Sequence, residues 1–370
     1  MKPHILFICI SDGFGGLELQ MAQRTKDAIE KYNFGLIITQ KDSKLSKYCA
    51  NNNIPFIEVN QKIDYIDIPV IFKLLLIIKK NTINSIVCSK SKELSLAVFA
   101  SKISKTKPKV FFYQQMQNGI IKKDYFHNFI YKNISGAIVI APFMKKQIQE
   151  TTIIDPSKVF VNYIGIKLEN YRKENYNKQQ IRKDIGLKSD SFVVLNVGRM
   201  DAQKDQITLI KAFDKANIPN SQLLLVGEGY FKKECETLVE TLKIKDKVIF
   251  LGFRYDIEKI YNACDLFVIP SLTETLGIVI IESFASKIPV IGTNGGGIRD
   301  LIKDRERGLL FEPRDYLKLS ELILELYNNK DLYKYLTENA YEFAQSNLNF
   351  YEQRKSFFNF IEEILNKNNK

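Results

Sequence analysis

Short apolar runs that end in Gly, Ser, Asn or Asp alternate with helix-length segments along the chain, and this rhythm restricts the fold more than any other feature. A brief, continuous apolar run between helical stretches is a strand buried on both faces, so the pattern calls for parallel sheets covered by helices. In the first half the strands are expected at Ile5–Ile10, Gly35–Thr39, Ile86–Cys88, Val110–Tyr113, Ala137–Ile140 and Val159–Tyr163. In the second they are expected at Phe192–Val197, Gln222–Val226, Val248–Leu251, Leu266–Ile269, Val290–Gly292 and Leu309–Phe311. Between the halves, Lys167–Asp190 is rich in Lys, Asn, Tyr and Gln and lacks apolar periodicity before Ile181, which marks a linker and a lead-in helix. A chain of 370 residues that is 45% apolar can fill two cores. The expected division is a Rossmann-like domain over 1–167, a linker over 168–190, a second Rossmann-like domain over 191–345, and a C-terminal helix over 346–370 packing back on the first domain. Two doubly wound sheets bind ligands beyond the carboxyl ends of their strands, which predicts a cleft between the two facing domains.

Composition removes several functional classes. Cys9, Cys49, Cys88, Cys235 and Cys264 stand far apart, without the paired spacing of a disulfide framework or a zinc site, and each reads as a small buried hydrophobe in a reducing cytosol. The opening apolar run meets a Ser-Asp-Gly turn and reads as a first strand rather than an export signal. Ile66–Ile78 is interrupted by Asp67 and Lys73 and is too short to cross a bilayer. The net charge of +12 is unevenly placed: residues 1–167 hold 24 Lys and Arg against 12 Asp and Glu, leaving 30 of each beyond. Such an excess suits an anionic membrane or a phosphorylated glycan, and equally plain solubility. The stretch Lys73–Lys80 reads either as an interfacial segment or as an ordinary core-packed helix. No helix-turn-helix, zinc finger or aromatic-basic motif points to nucleic acid.

Three loops carry the chemistry. Asp12-Gly13-Phe14-Gly15-Gly16-Leu17-Glu18 follows the first strand, where glycines admit close approach to a ligand and a helix amino end offers N–H groups; a tight turn serving only the fold has the same sequence. Gly198-Arg199-Met200-Asp201-Ala202-Gln203-Lys204 follows a strand of the second half, and its two cations can converge on a diphosphate, Arg as a fork and Lys as a point charge. Pro270-Ser271-Leu272-Thr273-Glu274-Thr275-Leu276-Gly277 precedes the apolar run that contains Glu282. Glu274 and Glu282 would lie at most about 12 Å apart along a helix rise. Glu282 needs a hydrogen-bonding partner among its apolar neighbours, either ligand hydroxyls or a structural ion pair.

Taken together, Gly198-Arg199 with Lys204, Gly227-Glu228-Gly229, Gly252-Phe253-Arg254, Pro270-Ser271, the Glu274 and Glu282 pair and Gly295-Gly296-Gly297 resemble the retaining glycosyltransferases of GT-B fold, group 1 (family 4), with their Glu-x7-Glu motif. The resemblance spans nearly the whole chain and is strongest from Val193 to Phe311. It implies that the second domain holds a UDP- or GDP-linked sugar and the first holds a glycan or glycolipid acceptor. Arg199 and Lys204 would grip the diphosphate in place of a divalent metal, with no cofactor required. Glu274 would bind the donor sugar, Glu282 the ribose, and Thr275, Leu276 and Gly277 would present backbone N–H groups. Phe253 and Arg254 would lie near the base, Gly15 and Gly16 near the phosphates, and Glu18 and Gln115 on the acceptor side.

Family members often place a histidine where Tyr113-Gln114-Gln115-Met116-Gln117 has Gln115, which can hydrogen-bond but cannot titrate. The chain's two histidines are His4 and His127, and nothing in its sequence suggests a Ser-His-Asp or Cys-His nucleophile. That agrees with front-face attack within an ion pair, the mechanism the resemblance implies. Lipopolysaccharide or other surface polysaccharide synthesis at the inner face of the cytoplasmic membrane is the expected setting. A nucleotide-sugar epimerase of the same fold, or a non-catalytic nucleotide-sugar-binding protein, are the alternatives.

Overall fold

The computed structural model describes residues 2–367. Two compact units account for them: the first comprises the residues up to Tyr163 together with those from Arg354 onward, and the second comprises Ile164–Gln353.

Among the described residues the first unit holds a seven-stranded sheet. Its strands are β1 (Ile5–Cys9), β2 (Leu36–Gln40), β3 (Phe56–Val59), β4 (Ser85–Cys88), β5 (Lys109–Gln114), β6 (Gly136–Val139) and β7 (Val159–Val161). They run parallel in the order β3-β2-β1-β4-β5-β6-β7. β1 lies inside the sheet, between β2 and β4, and is buried along its whole length, which is why its sequence is a continuous apolar run. β3 went unread in the sequence: Phe-Ile-Glu-Val contains a charge, sits at the sheet edge and is only partly covered.

The second unit repeats the scheme with β8 (Phe192–Val197), β9 (Ser221–Val226), β10 (Val248–Gly252), β11 (Leu266–Ile269), β12 (Val290–Thr293) and β13 (Leu309–Phe311). The order is β10-β9-β8-β11-β12-β13, again parallel. Leu209, Ile210 and Phe213 from the helix Gln206–Ala216 and Leu319, Leu322 and Ile323 from the helix Tyr316–Asn328 share one core with β8, β9 and β11. The strand order reverses between β8 and β11, so the loops leaving those two strands form the crevice where doubly wound sheets bind ligands.

The segment 168–190, expected as a linker, is instead part of the second unit. Tyr171 is buried, and Arg182, 3% exposed, donates to the carbonyls of Ala263, Ser189 and Ser191 and pairs with Asp265 at 2.7 Å. Its polar composition concealed these long-range contacts. Removing the guanidinium leaves buried carbonyls and an acid short of partners. Arg182→Met is therefore expected to lower stability by about 3 kcal/mol, measured as a fall in the urea midpoint at unchanged slope.

The helix Phe350–Lys367 buries Phe357, Phe358, Ile361 and Leu365, and Phe357 meets Tyr113 edge-on at 5.1 Å. All five cysteines are buried and unbridged. No helix among the described residues is long and apolar enough to cross a membrane. The helix Ile68–Lys80, which contains the candidate interfacial stretch, packs Val70, Ile71, Leu74, Ile77 and Ile78 inward and leaves Ile68, Phe72 and Leu76 exposed.

Candidate active site

The loop after β8 is organised by Asp201, a residue that sequence reasoning passed over. One carboxylate oxygen accepts the N–H groups of Gln203 and Lys204 at 3.0 and 3.1 Å, and the other accepts Nε of Arg199 at 2.5 Å. Burial opposes ionisation of Asp201, but the bond from Arg199 and those N–H groups outweigh it and hold the carboxyl below the usual carboxylate range. An Asp three residues before Lys204 was the available signal, since that spacing caps a turn. Arg199 is tethered to Asp201 through its guanidinium Nε while its side chain stays 72% exposed. Gln206, also buried, donates to the Arg199 carbonyl at 3.1 Å and fixes the loop from beneath.

The loop after β11 meets the first one directly. The Lys204 ammonium pairs with Glu274, whose Oε1 also accepts the Ser271 hydroxyl at 2.9 Å. The Leu272 N–H donates to the Gln203 carbonyl at 2.8 Å, and Thr293 at the end of β12 donates to the Ser271 carbonyl at 2.5 Å. Lys204 and Glu274, 70 residues apart, thus meet at the carboxyl ends of β8 and β11, with Arg199 held by Asp201 on the same loop as Lys204.

Two glycines let the neighbouring loops, after β9 and β12, approach these two closely. A Cβ on Gly227, at φ +137°, would lie 2.0 Å from the Gly198 carbonyl oxygen, and one on Gly297 would lie 2.2 Å from that of Thr275. The glycine motifs after β9 and β12 are therefore places where neighbouring loops press backbone on backbone.

Glu282 occupies the helix Ile278–Ala285 and has a different partner. Tyr171, from the supposed linker, donates its phenol to Glu282 Oε1 at 3.0 Å. Burial holds the Glu282 carboxyl above its ordinary range, while the phenols of Tyr171 and Tyr261 act in the opposite direction. The need for a hydrogen-bonding partner was legible; its identity, 111 residues away, was not. Because the helix starts only at Ile278, the helical rise covers only part of the path from Glu274.

The other second-unit candidates divide. Thr275 and Gly277 are partly exposed, Gly277 caps the helix with φ +75°, and Leu276 is buried. Phe253 is exposed, whereas Arg254 is clamped by Asp256 at 2.8 and 2.9 Å. Among the described residues no group of three His, Cys, Asp or Glu side chains is placed to hold a metal ion.

In the first unit Gly15 and Gly16 are exposed at the start of the helix Gly16–Tyr32. Glu18, expected on the acceptor side, is buried and accepts the Gly15 N–H at 2.9 Å, so at least one of its oxygens caps its own helix. Gln115 is 6% exposed, and neither end of its amide has a hydrogen-bond partner among the described residues.

Residues 177–343 match the family described as glycosyl transferases group 1. Over these residues, less than half of its length, the chain is similar to that family. Constellation and match coincide: Arg199, Lys204, Glu274 and Glu282 all fall inside it. Curated relatives include a UDP-Gal:alpha-D-GlcNAc-diphosphoundecaprenol alpha-1,3-galactosyltransferase of Escherichia coli, 31% identical over 48% of this chain and 48% of the relative. Another is the N-acetylgalactosamine-N,N'-diacetylbacillosaminyl-diphospho-undecaprenol 4-alpha-N-acetylgalactosaminyltransferase of Campylobacter jejuni, 32% identical over 56% of this chain and 54% of the relative. The matches span about half the length of these curated relatives. Among solved structures, a glycosyltransferase from Rickettsia africae superposes with a TM-score of 0.87 at 22% identity, covering 98% of this chain and 99% of that one. HepE of Anabaena in complex with UDP superposes at 0.83 with 20% identity, covering 97% and 100%. The fold is that of the GT-B glycosyltransferases.

Proposed function

We propose that the chain is a retaining, metal-independent glycosyltransferase of group 1 that moves a sugar from a UDP- or GDP-linked donor to a glycan or glycolipid acceptor in surface polysaccharide synthesis. The observation that carries the proposal is the pairing of Lys204 with Glu274, on a loop that also carries the exposed Arg199. In a nucleoside diphosphate sugar the anionic phosphates stand next to sugar hydroxyls. A cation for the former and a carboxylate for the latter, already in contact, match that adjacency.

The reaction balances without an enzyme nucleophile. The bond from the anomeric carbon to the diphosphate oxygen breaks and the leaving group takes the electron pair. Arg199 and Lys204 offset the charge that develops. An acceptor hydroxyl forms the new bond on the same face, and its proton passes to the departing phosphate oxygen. Glu274 orients the sugar and Glu282 the ribose. The named acceptors of the Escherichia coli and Campylobacter relatives are diphosphoundecaprenol-linked, which supports a glycolipid acceptor. The basic first half and the exposed Ile68, Phe72 and Leu76 support peripheral contact with an anionic membrane from the cytoplasmic side.

A thermal-shift screen against UDP-, GDP- and ADP-sugars tests donor use, since a ligand bound to the folded state raises the melting temperature. No shift with any of them contradicts the proposal, and NMR of the product's anomeric linkage decides retention. Tyr171→Phe removes one donor from Glu282. KM for the donor is expected to rise about fivefold with kcat nearly unchanged. Because the lost bond lifts the Glu282 carboxyl further, the defect widens as pH falls and the acid protonates, which KM measured across pH checks.

A further inference from the structure

Within the first unit, beyond the carboxyl ends of β4 and β5, lies a cavity of about 410 Å³. Lys90, Lys92, Lys122, His127 and Gln114 are among the residues that line it. Lys122 is the telling member. It is 7% exposed, and its ammonium donates to the Ser91 hydroxyl at 2.6 Å with no carboxylate in range among the described residues. A buried ammonium without a counter-ion is costly. Burial alone lowers its pKa, and no acid acts on it to raise it again.

The acids nearby are committed elsewhere. Glu93 lies underneath with its oxygens taken by the N–H groups of Ile10, Ser89 and Lys90 and the Ser89 hydroxyl. Asp64 pairs with Lys92 at 2.9 Å, and Asp124 pairs with His127 at 2.5 Å. Gln114, 6% exposed, has no partner for its Oε1, and His127 Nε2 also has none among the described residues. The walls therefore hold an unmatched cation, with unmet buried polar atoms on two of the lining side chains, around a space far larger than a water. Met116, Ile120 and Ile121, which also line it, are 64%, 68% and 71% exposed, so apolar surface adjoins the cationic wall.

We propose that this cavity binds the phosphate or diphosphate of a lipid-linked acceptor, with Lys122 as its buried counter-ion and Met116, Ile120 and Ile121 against the first part of the lipid. This rests on the transferase reading for the word acceptor, but the binding itself does not.

Calorimetric titration of the full-length chain with farnesyl diphosphate, farnesol and inorganic pyrophosphate tests it. Farnesyl diphosphate is expected to bind at least about tenfold more tightly than either of the others, and Lys122→Met to lose at least about tenfold of that affinity. Lys122→Met replaces a buried charge with an apolar chain of similar length, so its melting temperature is expected to be no lower than that of the wild type. Lys90→Gln, on the partly exposed wall, keeps the fold and weakens binding roughly threefold. Equal binding of farnesol or of pyrophosphate, or undiminished binding by Lys122→Met, would each overturn the proposal. No donor and no turnover enter the measurement. A failed cavity therefore leaves the donor site standing, and a failed transferase leaves this titration readable.

Discussion

Lys204→Ala is expected to lower kcat for sugar transfer by about a thousandfold, with the folded structure retained. The ammonium is the less exposed of the two cations placed for the diphosphate, and it acts where leaving-group charge develops. Loss of one such preorganised donor costs about 3 to 4 kcal/mol in the transition state. In the folded chain without ligand, by contrast, the same side chain makes one ion pair, to a Glu274 that keeps its bond from Ser271. Both partners remain partly solvated, so the loss to stability is expected to stay below about 1 kcal/mol. Glu274→Ala should behave alike through lost sugar binding. Turnover by Lys204→Ala within tenfold of wild type, at equal protein integrity by circular dichroism, would remove Lys204 from the mechanism.

Gly227→Ala is expected to lose about 3 to 5 kcal/mol of stability. Its φ of +137° disfavours a side chain, and the added carbon would sit 2.0 Å from the Gly198 carbonyl oxygen. The strain must be relieved by moving the Gly198-Arg199 loop, so activity falls with stability. The urea midpoint and donor affinity measured on the same preparation separate this from Lys204→Ala, which spares the midpoint. A midpoint within experimental error of wild type would show that the two loops do not press together.

The two predictions differ because sequence records different physics at the two positions. Strands such as β1 and β11 were legible because burial on both faces demands an uninterrupted apolar run. β3 was not, because an edge strand with Glu58 in it need not be apolar. The glycine motifs could be noticed as spacing, but their purpose, backbone contact between loops after different strands, exists only in the folded sheet. Asp201 left a local trace as a turn former. Tyr171 left none: a tyrosine in a polar stretch gives no hint that it reaches Glu282. Glu18 is assigned to the acceptor side through the resemblance alone; its capping bond to the Gly15 N–H, three residues back, is a second use of the same carboxylate that a glutamate at that spacing signals.

The central claim is that Arg199, Lys204 and Glu274 share one nucleoside diphosphate sugar at the carboxyl edge of the second sheet. Calorimetric titration of UDP, GDP and ADP into the wild-type chain and into Lys204→Ala addresses it most directly. The account predicts saturable binding of at least one of the three, weakened about tenfold or more in the variant. Absence of binding by all three, or identical affinity in both proteins, would contradict it.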